Sequence, residues 1–501
     1  MKKVKKTAII TIVFLFALIT AGEIYSDTAL TEEYQQDLFD RLNHLRGEGP
    51  RPASLENLER PICGTSVAFE AFINRDRLDG AYKISTVMQG RDTTLECSYE
   101  SPDGHFLIHY DTTGVNAVYK PDLDTLAGGD GIPDYVNKVG EIADSVWTYV
   151  VDELGFPPPP RDDFYPAGLD STYDIYIEGL GSAYYGATYS DMLVDSQSVT
   201  SVLVLDNNYN FPPYNEYDGD PRDLNRRLDA VRVTTAHEFF HAIHFGMDWT
   251  EWEGDEAMSA RIYWWEMSAV WMEEMMYDDV NDYYGYLPYF YEYPWIGLRN
   301  FTSSAPLAFH PYGAVVFPIY LTERWGDSTI VRKIWEQCRD LGVGPQFGEA
   351  VDNAVYEVSG GTHRLVDAIR EFSVWNMFTG NRADRAPAGL GYSEKEFYPI
   401  IPDTAMFVFN DYPFVVTNRN LIDSFSTRLP EIYGTNIIKL EETYLIPDSL
   451  GFNFYRSAIH STLDWNVSLI GFPIDDNADA IVQMNVFEGP NIDQYVITGT
   501  E

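Results

Sequence analysis

The stretch VRVTTAHEFFHAIHFG, residues 231–246, is the most informative part of the chain. Its apolar residues recur with helical spacing and it ends at a glycine, so the pattern predicts a helix. Positions i and i+4 share one face of a helix, which places His237 and His241 side by side. Two imidazole nitrogens on one face can bind one tetrahedral zinc ion, and Glu238 can face its open position. Chance predicts only about 0.01 occurrences of this pattern in a chain with nine histidines.

A tetrahedral zinc site needs a further protein ligand, and the next helical segment offers carboxylates. A third histidine six positions after His241 is excluded, because Met247 stands there and His244 replaces the glycine expected before it. Glu266 is the predicted third ligand, since the intervening residues are numerous enough to reverse the chain. Glu273 lies two helical turns further on the same face, where it could accept a hydrogen bond from a ligand histidine. His244 is expected to be packed or exposed and not to be a ligand.

These residues resemble a known family. The pattern His-Glu-x-x-His, followed by Glu266 with alanine at +3, an aromatic residue at +5 and glutamate at +7, resembles the gluzincin metallopeptidases, especially their aminopeptidase-like branch. The stretch HPYGA, residues 310–314, is similar to the start of a later helix in that branch. Cys-Gly-Thr at 63–65 and Tyr-Gly-Ala at 185–187 resemble a group of poorly characterised secreted bacterial metalloproteases. The motif resemblance covers roughly residues 229–327.

The resemblance implies a set of roles. His237, His241 and Glu266 would be zinc ligands and Glu238 the general base that activates a water for peptide-bond hydrolysis. Tyr312 or His310 would stabilise the oxyanion of the tetrahedral intermediate. The residues flanking Glu266 are Trp265 and Met267, where the aminopeptidase branch has asparagine and glycine. No equivalent of the acidic motif that binds a free α-amine is found, so we expect an endopeptidase acting on a protein or peptide substrate.

The N-terminus and the charge indicate the compartment and exclude several partners. Residues 1–21 join a lysine-rich start to a short apolar run, which predicts a secretory signal peptide and a secreted or periplasmic protein of a bacterium. A single membrane anchor is the alternative. The 77 acidic and 34 basic residues give a net charge of −43, which argues against nucleic acid and anionic membranes as partners.

Three cysteines are present. In an exported protein, Cys63 and Cys97 are the natural disulfide pair, and Cys338 is expected to be a buried thiol in a helix. Cys63 has a second interpretation. Its surroundings, Pro-Ile-Cys-Gly at 61–64, are slightly similar to the inhibitory cysteine of some protease pro-segments, whose thiolate caps the metal.

The pattern of apolar and turn-forming residues along the chain predicts an α+β fold. Residues 22–103 form an N-terminal segment, either a pro-region or a linker. Residues 104–398 form a zincin-like domain with a small sheet, an active-site helix and a helical lower subdomain. Strands of that sheet are predicted at residues 106–110, 174–177 and 201–205. Residues 399–501 alternate short apolar runs with turn residues, which is typical of a β-sandwich.

An aspartate-rich loop offers a second metal site. Oxygen ligands on a flexible, glycine-containing loop suit calcium, and a solvated turn is the alternative. The candidate ligands are Asp122, Asp124, Asp130 and Asp134.

The sequence therefore predicts an exported zinc metallopeptidase. Two alternatives stay open. One is a non-catalytic binding or surface-attachment protein on a peptidase scaffold, and the other is a zinc hydrolase that acts on a non-peptide bond.

Overall fold

A computed structural model divides the chain into two compact units, Met1–Ala260 with Gly342–Pro345, and Arg261–Leu341 with Gln346–Glu501. The predicted signal peptide, residues 1–21, lies outside the described residues. The structure describes residues 30–80, 82, 91–161, 172–216, 224–254, 260–302, 307–386, 388–409, 431–440, 449–454, 463–470, 480–488 and 495–500.

The first unit is built on a five-stranded sheet of order β1-β2-β3-β5-β4. Strands β2, β3 and β5 are parallel, whereas β1 and β4 run antiparallel to their neighbours at the two edges. The strands are β1 (Cys97–Glu100), β2 (Phe106–Tyr110), β3 (Tyr173–Glu178), β4 (Gly186–Leu193) and β5 (Val199–Asp206). A two-residue strand, β6 (Glu253–Gly254), follows later.

Four α-helices lie in the described part of this unit. They are α1 (Glu32–Leu45), α2 (Thr65–Asn74), α3 (Asp134–Trp147) and α4 (Asn225–Asp248). Every residue of β5 is buried, as expected for a parallel strand covered on both faces. Helix α4 contacts β5, β4 and α3, so it lies against the middle of the core. The predicted helix at residues 231–246 and the predicted strands at 106–110, 174–177 and 201–205 are confirmed.

The N-terminal segment packs into the same unit. Helix α1 begins at an N-cap, where Thr31 accepts a hydrogen bond from the backbone N–H of Tyr34. Helix α2 packs on β4, and a buried ion pair joins Arg41 of α1 to Glu70 of α2 with a 2.9 Å contact. Burial raises the cost of breaking this pair, because either partner would be left as an uncompensated charge. Residues 30–80 are therefore anchored to the sheet.

The second unit is mainly helical in its first part. A cluster of fully buried tryptophans, Trp264, Trp265, Trp271 and Trp335, forms much of its core. After the short β7 (Ala260–Arg261), which straddles the start of the unit, the helices are α5 (Tyr263–Met276), α6 (Leu287–Tyr291), α7 (His310–Gly313), α8 (Val316–Trp325), α9 (Ile330–Leu341), α10 (Phe347–Val358) and α11 (Leu365–Trp375). Helix α7 packs against α5, and Cys338 of α9 is completely buried, as predicted.

The C-terminal residues form β-strands. Strands β11, β12, β9 and β8 make a four-stranded sheet in that order, and β10 pairs with β13. The strands are β8 (Phe407–Phe409), β9 (Thr435–Leu440), β10 (Ser449–Phe454), β11 (Leu463–Ile470), β12 (Ala480–Glu488) and β13 (Tyr495–Thr500). The β-strand content matches the sequence pattern, and the face-to-face sandwich arrangement stays a prediction.

Within the part of the chain that the structure describes, no helix is both long enough and apolar enough to cross a membrane.

Candidate metal centre

The His-Glu-x-x-His motif lies on the part of helix α4 that is buried in the core. His237, Glu238 and His241 expose 5%, 1% and 0% of their surface. The residues between and beside them are apolar and fully buried, so neighbouring elements surround the helix on every side. Buried polar side chains require partners, because an uncompensated polar group in a core costs several kcal/mol. The partners of these three side chains therefore define the chemistry of the site.

The two histidines converge through the same ring atom. His237 Nε2 and His241 Nε2 lie 3.1 Å apart, and the ring planes are nearly perpendicular. Two nitrogens bound to one tetrahedral zinc at about 2.05 Å are roughly 3.3 Å apart. The observed separation fits that requirement. It also fits a hydrogen bond between neutral imidazoles, in which one ring donates.

A third histidine lies behind them. His241 Nδ1 and His244 Nδ1 are 3.2 Å apart, and His244 is completely buried. Burial, followed by the neighbouring His241 and His237, lowers the pKa of His244 well below its ordinary value. A neutral His244 can accept the N–H of His241 Nδ1, which leaves His241 Nε2 with a lone pair for a metal. The sequence left open whether His244 is packed or exposed, and it did not indicate this orienting contact.

Two threonines fix the carboxylate of Glu238. Thr65 Oγ1 donates to Glu238 Oε2 at 2.7 Å, and Thr188 Oγ1 is 2.9 Å from the same oxygen. Thr188 Oγ1 also lies 2.7 Å from the Glu238 carbonyl oxygen, and its backbone N–H donates to Thr65 Oγ1. Helix α2, strand β4 and helix α4 thus meet at one carboxylate. These threonines were not identified from the sequence, because contacts so distant along the chain leave no local pattern.

Cys63 contacts the other oxygen of the same carboxylate. Its Sγ donates to Glu238 Oε1 at 3.2 Å, and its side chain is buried. The predicted Cys63–Cys97 disulfide is therefore wrong: both residues are thiols in the structure.

The sheet explains the error. Cys97 begins β1, whereas Cys63 lies beside Tyr184–Gly186 at the β4 edge. The two edges are separated by four strand spacings, roughly 19 Å, and a disulfide needs Cα atoms within about 7 Å.

Four buried side chains form a group that could hold a metal ion. Each offers one ligand atom, and these atoms all lie within 4.8 Å of one another. The members are Cys63, His237, His241 and Glu266. The group contains two nitrogen donors, one oxygen donor and one sulfur donor, which is a combination that zinc accepts.

The other predicted catalytic residues lie in the second unit. Glu266 and Glu273 are both buried on α5. His310 and Tyr312 are buried on α7, and the ring of Tyr312 packs against that of Tyr286. Burial lowers the pKa of His310 to about 3, and neither ring nitrogen has a hydrogen-bond partner among the described residues. The roles of Glu273, His310 and Tyr312 stay predictions.

The aspartate-rich loop is held by its own hydrogen bonds. Asp134 accepts from the backbone N–H groups of residues 125 and 126, and Asp124 accepts from that of residue 131. Asp130 accepts from the N–H of residue 132, and Asp122 is exposed. Asp124 Oδ1 is buried, and it has no hydrogen-bond partner among the residues that the structure describes. Calcium at this loop stays a prediction.

A further acidic group was not indicated by the sequence. Glu274, Asp278 and Glu394 place one carboxylate oxygen each within 4.8 Å of the others. Burial first, and then the neighbouring Glu394 and Asp278, raise the pKa of Glu274 to about 9. Glu274 is therefore expected to be protonated at neutral pH.

Comparison with known protein families finds no match for this chain, and a search of curated proteins finds no relative. The metal centre must therefore be interpreted from its own chemistry, which is compatible with the gluzincin resemblance in the two histidines, the glutamates and the small sheet.

Proposed function

We propose that this chain is an exported zinc-dependent metallopeptidase of the gluzincin type. One observation carries the proposal: the Nε2 atoms of His237 and His241 converge to 3.1 Å in a group that includes Cys63 Sγ, which lies 3.2 Å from the Glu238 carboxylate. A helix carrying two histidines for packing alone would not require both rings to present the same nitrogen to one point. Nor would it require a buried glutamate anchored next to that point.

The donor set supports zinc, and Glu266 is the proposed third ligand. His237 and His241 would bind through Nε2, and Glu266 would add a carboxylate oxygen. Glu273, two helical turns after Glu266 on α5, is proposed to accept a hydrogen bond from a ligand and fix its orientation. A bound zinc ion would polarise the substrate carbonyl and make a water acidic enough to ionise near neutral pH.

Side chains of the protein would transfer the proton from the attacking water to the leaving amine. Thr65 and Thr188 hold Oε2 of Glu238, so Oε1 is the oxygen oriented to accept a proton from the attacking water. Glu238 would then deliver that proton to the leaving amine. Tyr312 or His310 is proposed to donate a hydrogen bond to the developing oxyanion. A neutral imidazole, as the low pKa of His310 implies, still has an N–H to donate.

The test combines metal analysis with a digest of casein and a mixed-peptide library. The purified protein should contain about one zinc per chain and cleave internal peptide bonds. Glu238→Gln should keep the zinc and lose cleavage, whereas His237→Ala should lose both. His363→Ala, a histidine outside the metal group, is the matched control and should retain both. Absence of zinc from the wild type would defeat the proposal, and equal cleavage by Glu238→Gln would point to a contaminant.

A non-catalytic protein is the second candidate, and Cys63 favours it. Four protein ligands without an open position are typical of structural zinc sites, whereas catalytic sites keep a position for water. If Cys63 bound the metal permanently, the chain could serve as a binding or surface-attachment protein. Zinc that is retained without any cleavage under every condition would support this candidate.

A further inference from the structure

The segment Pro61–Thr65 approaches the metal group from the edge of the sheet. Ile62 N–H donates to Ala183 O at 2.8 Å, and Tyr185 N–H donates to Ile62 O at 3.2 Å. Gly64 N–H donates to Gly186 O at 2.8 Å. The segment thus adds backbone hydrogen bonds beside the start of β4, which is an edge strand of the five-stranded sheet.

An extended peptide commonly binds by adding a strand to such an edge. A substrate that did so here would pass next to Glu238, because a Cβ placed on Gly186 would lie 3.1 Å from Glu238 Cγ. The chain's own segment already uses these backbone groups. Residues 62–64 and a peptide substrate would therefore compete for the same edge.

The side chains of the segment complete the obstruction. Cys63 Sγ is a member of the four-residue metal group and contacts Glu238 Oε1, the oxygen assigned to the water. Thr65 fixes Oε2 of the same glutamate. The thiol therefore occupies the space between the metal ligands and the base, where the attacking water would need to lie.

We propose that Pro61–Gly64 is an inhibitory latch, in which Cys63 is a displaceable fourth metal ligand that keeps the enzyme latent. This inference rests on the proposed peptidase function. On metal binding, the S–H bond of Cys63 breaks, a sulfur–metal bond forms, and the proton passes to Glu238 Oε1. Opening reverses these changes and gives the ligand position to water.

Only the latch itself needs to move. The flanking helices α1 and α2 are anchored by core side chains such as Leu42 and Phe69, which are almost fully buried. The buried pair Arg41–Glu70 joins these two helices. Displacing four residues breaks the three backbone hydrogen bonds to residues 183–186 and exposes the buried Ile62 and Cys63, while Leu42 and Phe69 stay in place.

Cobalt substitution tests the ligand independently of activity. A cysteine thiolate bound to Co²⁺ gives an intense near-ultraviolet charge-transfer absorption. The cobalt-loaded wild type should show this band, and Cys63→Ser should lose it while still binding one Co²⁺. Cys97→Ser, a cysteine of the same unit outside the metal group, is the matched control and should keep the band. Persistence of the band in Cys63→Ser, or its absence from the wild type, would overturn the assignment.

Hydrolysis tests the inhibitory role. Zinc-loaded Cys63→Ser should cleave the peptide library about tenfold faster than wild type or more, a barrier change of about 1.4 kcal/mol. Gly64→Ala provides a second variant with Cys63 intact. Its added Cβ would meet Leu45 Cδ1 at 2.5 Å and Gly186 O at 2.9 Å, and the contact with the backbone oxygen should push the latch off the edge. Faster alkylation of Cys63 by iodoacetamide, relative to the wild type, should accompany faster cleavage in Gly64→Ala.

The results of these experiments distinguish failure of the latch proposal from failure of the proposed peptidase function. Cleavage by the wild type at the same rate as Cys63→Ser, lost in Glu238→Gln, would keep the peptidase and overturn the latch. A cobalt band that depends on Cys63, with no cleavage by any variant, would indicate a closed structural site and overturn both. Circular dichroism of each variant confirms that it is folded before either comparison is made.

Discussion

At the scale of single residues, Glu238 is the most constrained side chain of the candidate site. Its two carboxylate oxygens contact three different side chains, from two separate parts of the chain. The motif identified Glu238 and the two histidines from sequence, because the spacing i, i+1, i+4 is local. It could not identify Thr65 or Thr188, because they lie 173 and 50 positions from Glu238. Cys63, which lies 175 positions away, was indicated only by its similarity to the inhibitory cysteine of some pro-segments.

Thr188→Val is expected to weaken both stability and activity. The variant keeps the shape of the side chain but removes the hydroxyl that lies within hydrogen-bond distance of the Glu238 carboxylate and carbonyl. Unsatisfied buried acceptors should lower the free energy of unfolding by about 1–3 kcal/mol. A less well-oriented base should lower kcat roughly tenfold or more. Urea unfolding and peptide cleavage check these effects.

Thr188→Ser keeps a hydroxyl and is the matched control for Thr188→Val. It should retain most of the stability and most of the cleavage rate. Equal losses in both variants would show that the methyl group, and not the hydrogen bonds to Glu238, is what matters at this position.

Glu274→Gln is expected to change the pH dependence of stability. The folded pKa of about 9 is raised above the unfolded value, so Glu274 favours folding most below about pH 4.5 and loses that contribution as pH rises toward 9. Glutamine mimics the protonated acid and does not ionise. Between pH 5 and pH 9, the variant should therefore lose roughly 1–2 kcal/mol less unfolding free energy than wild type, a figure reduced for partial solvent exposure.

Urea unfolding at pH 5, 7 and 9 measures the difference between Glu274→Gln and wild type. Glu141→Gln, on helix α3 and away from the acidic group, is the control and should follow the wild-type curve. Parallel curves for Glu274→Gln and wild type would contradict the raised pKa.

At the scale of elements, strong hydrophobic periodicity was sufficient to predict individual helices and strands. It was not sufficient to predict which segments pair with each other. The helix around the motif and the parallel strands were predicted because their hydrophobic patterns are local. The pairing of residues 62–64 with the β4 edge was not predicted, since it is made by backbone groups that every residue carries. Sequence position alone suggested a disulfide between Cys63 and Cys97, and the strand order places them at opposite edges of the sheet.

Gly186→Ala is expected to separate β4 from α4. An added Cβ would meet Thr234 Cγ2 at 2.7 Å and Val204 O at 3.0 Å. Overpacking of this kind should cost about 1–3 kcal/mol of stability and disturb Glu238. Thermal unfolding and zinc content measure the two effects. Gly80→Ala is the control, because no atom of the described residues lies within 4 Å of its added Cβ, and its unfolding should match the wild type. Unchanged stability in Gly186→Ala would contradict close packing at this crossing.

At the scale of the whole molecule, the main feature is the large negative net charge. A net charge of −43 must be carried largely at the surface, where like charges repel and oppose compact folding. Composition predicts from this charge that nucleic acid and anionic lipid are excluded as partners, but it gives no position to any individual carboxylate. The division into two compact units was not predicted, because it depends on long-range contacts and not on changes of texture along the chain.

Salt is expected to stabilise the protein. Raising ionic strength from about 0.01 M to 0.5 M shortens the screening length severalfold and should raise Tm by roughly 2–5 °C. Sodium and potassium chloride should act alike, since screening does not distinguish them. A fall in Tm with either salt would contradict self-repulsion. Calcium chloride at matched ionic strength should add a further rise only if the aspartate-rich loop binds the ion, and Asp124→Asn should remove that increment.

The backbone ladder between residues 62–64 and the start of β4 has a consequence for colloidal behaviour. An uncovered sheet edge offers unpaired N–H and C=O groups to any other extended chain, including a neighbouring molecule of the same protein. While the segment is in place, it shields these groups from edge-to-edge association. A molecule with this segment displaced would expose an unpaired strand edge. Molecules in this open state should therefore form soluble aggregates as the protein concentration rises. Light scattering across a concentration series should show more aggregation in Gly64→Ala than in wild type. That result would indicate that the same four residues also protect the protein from self-association.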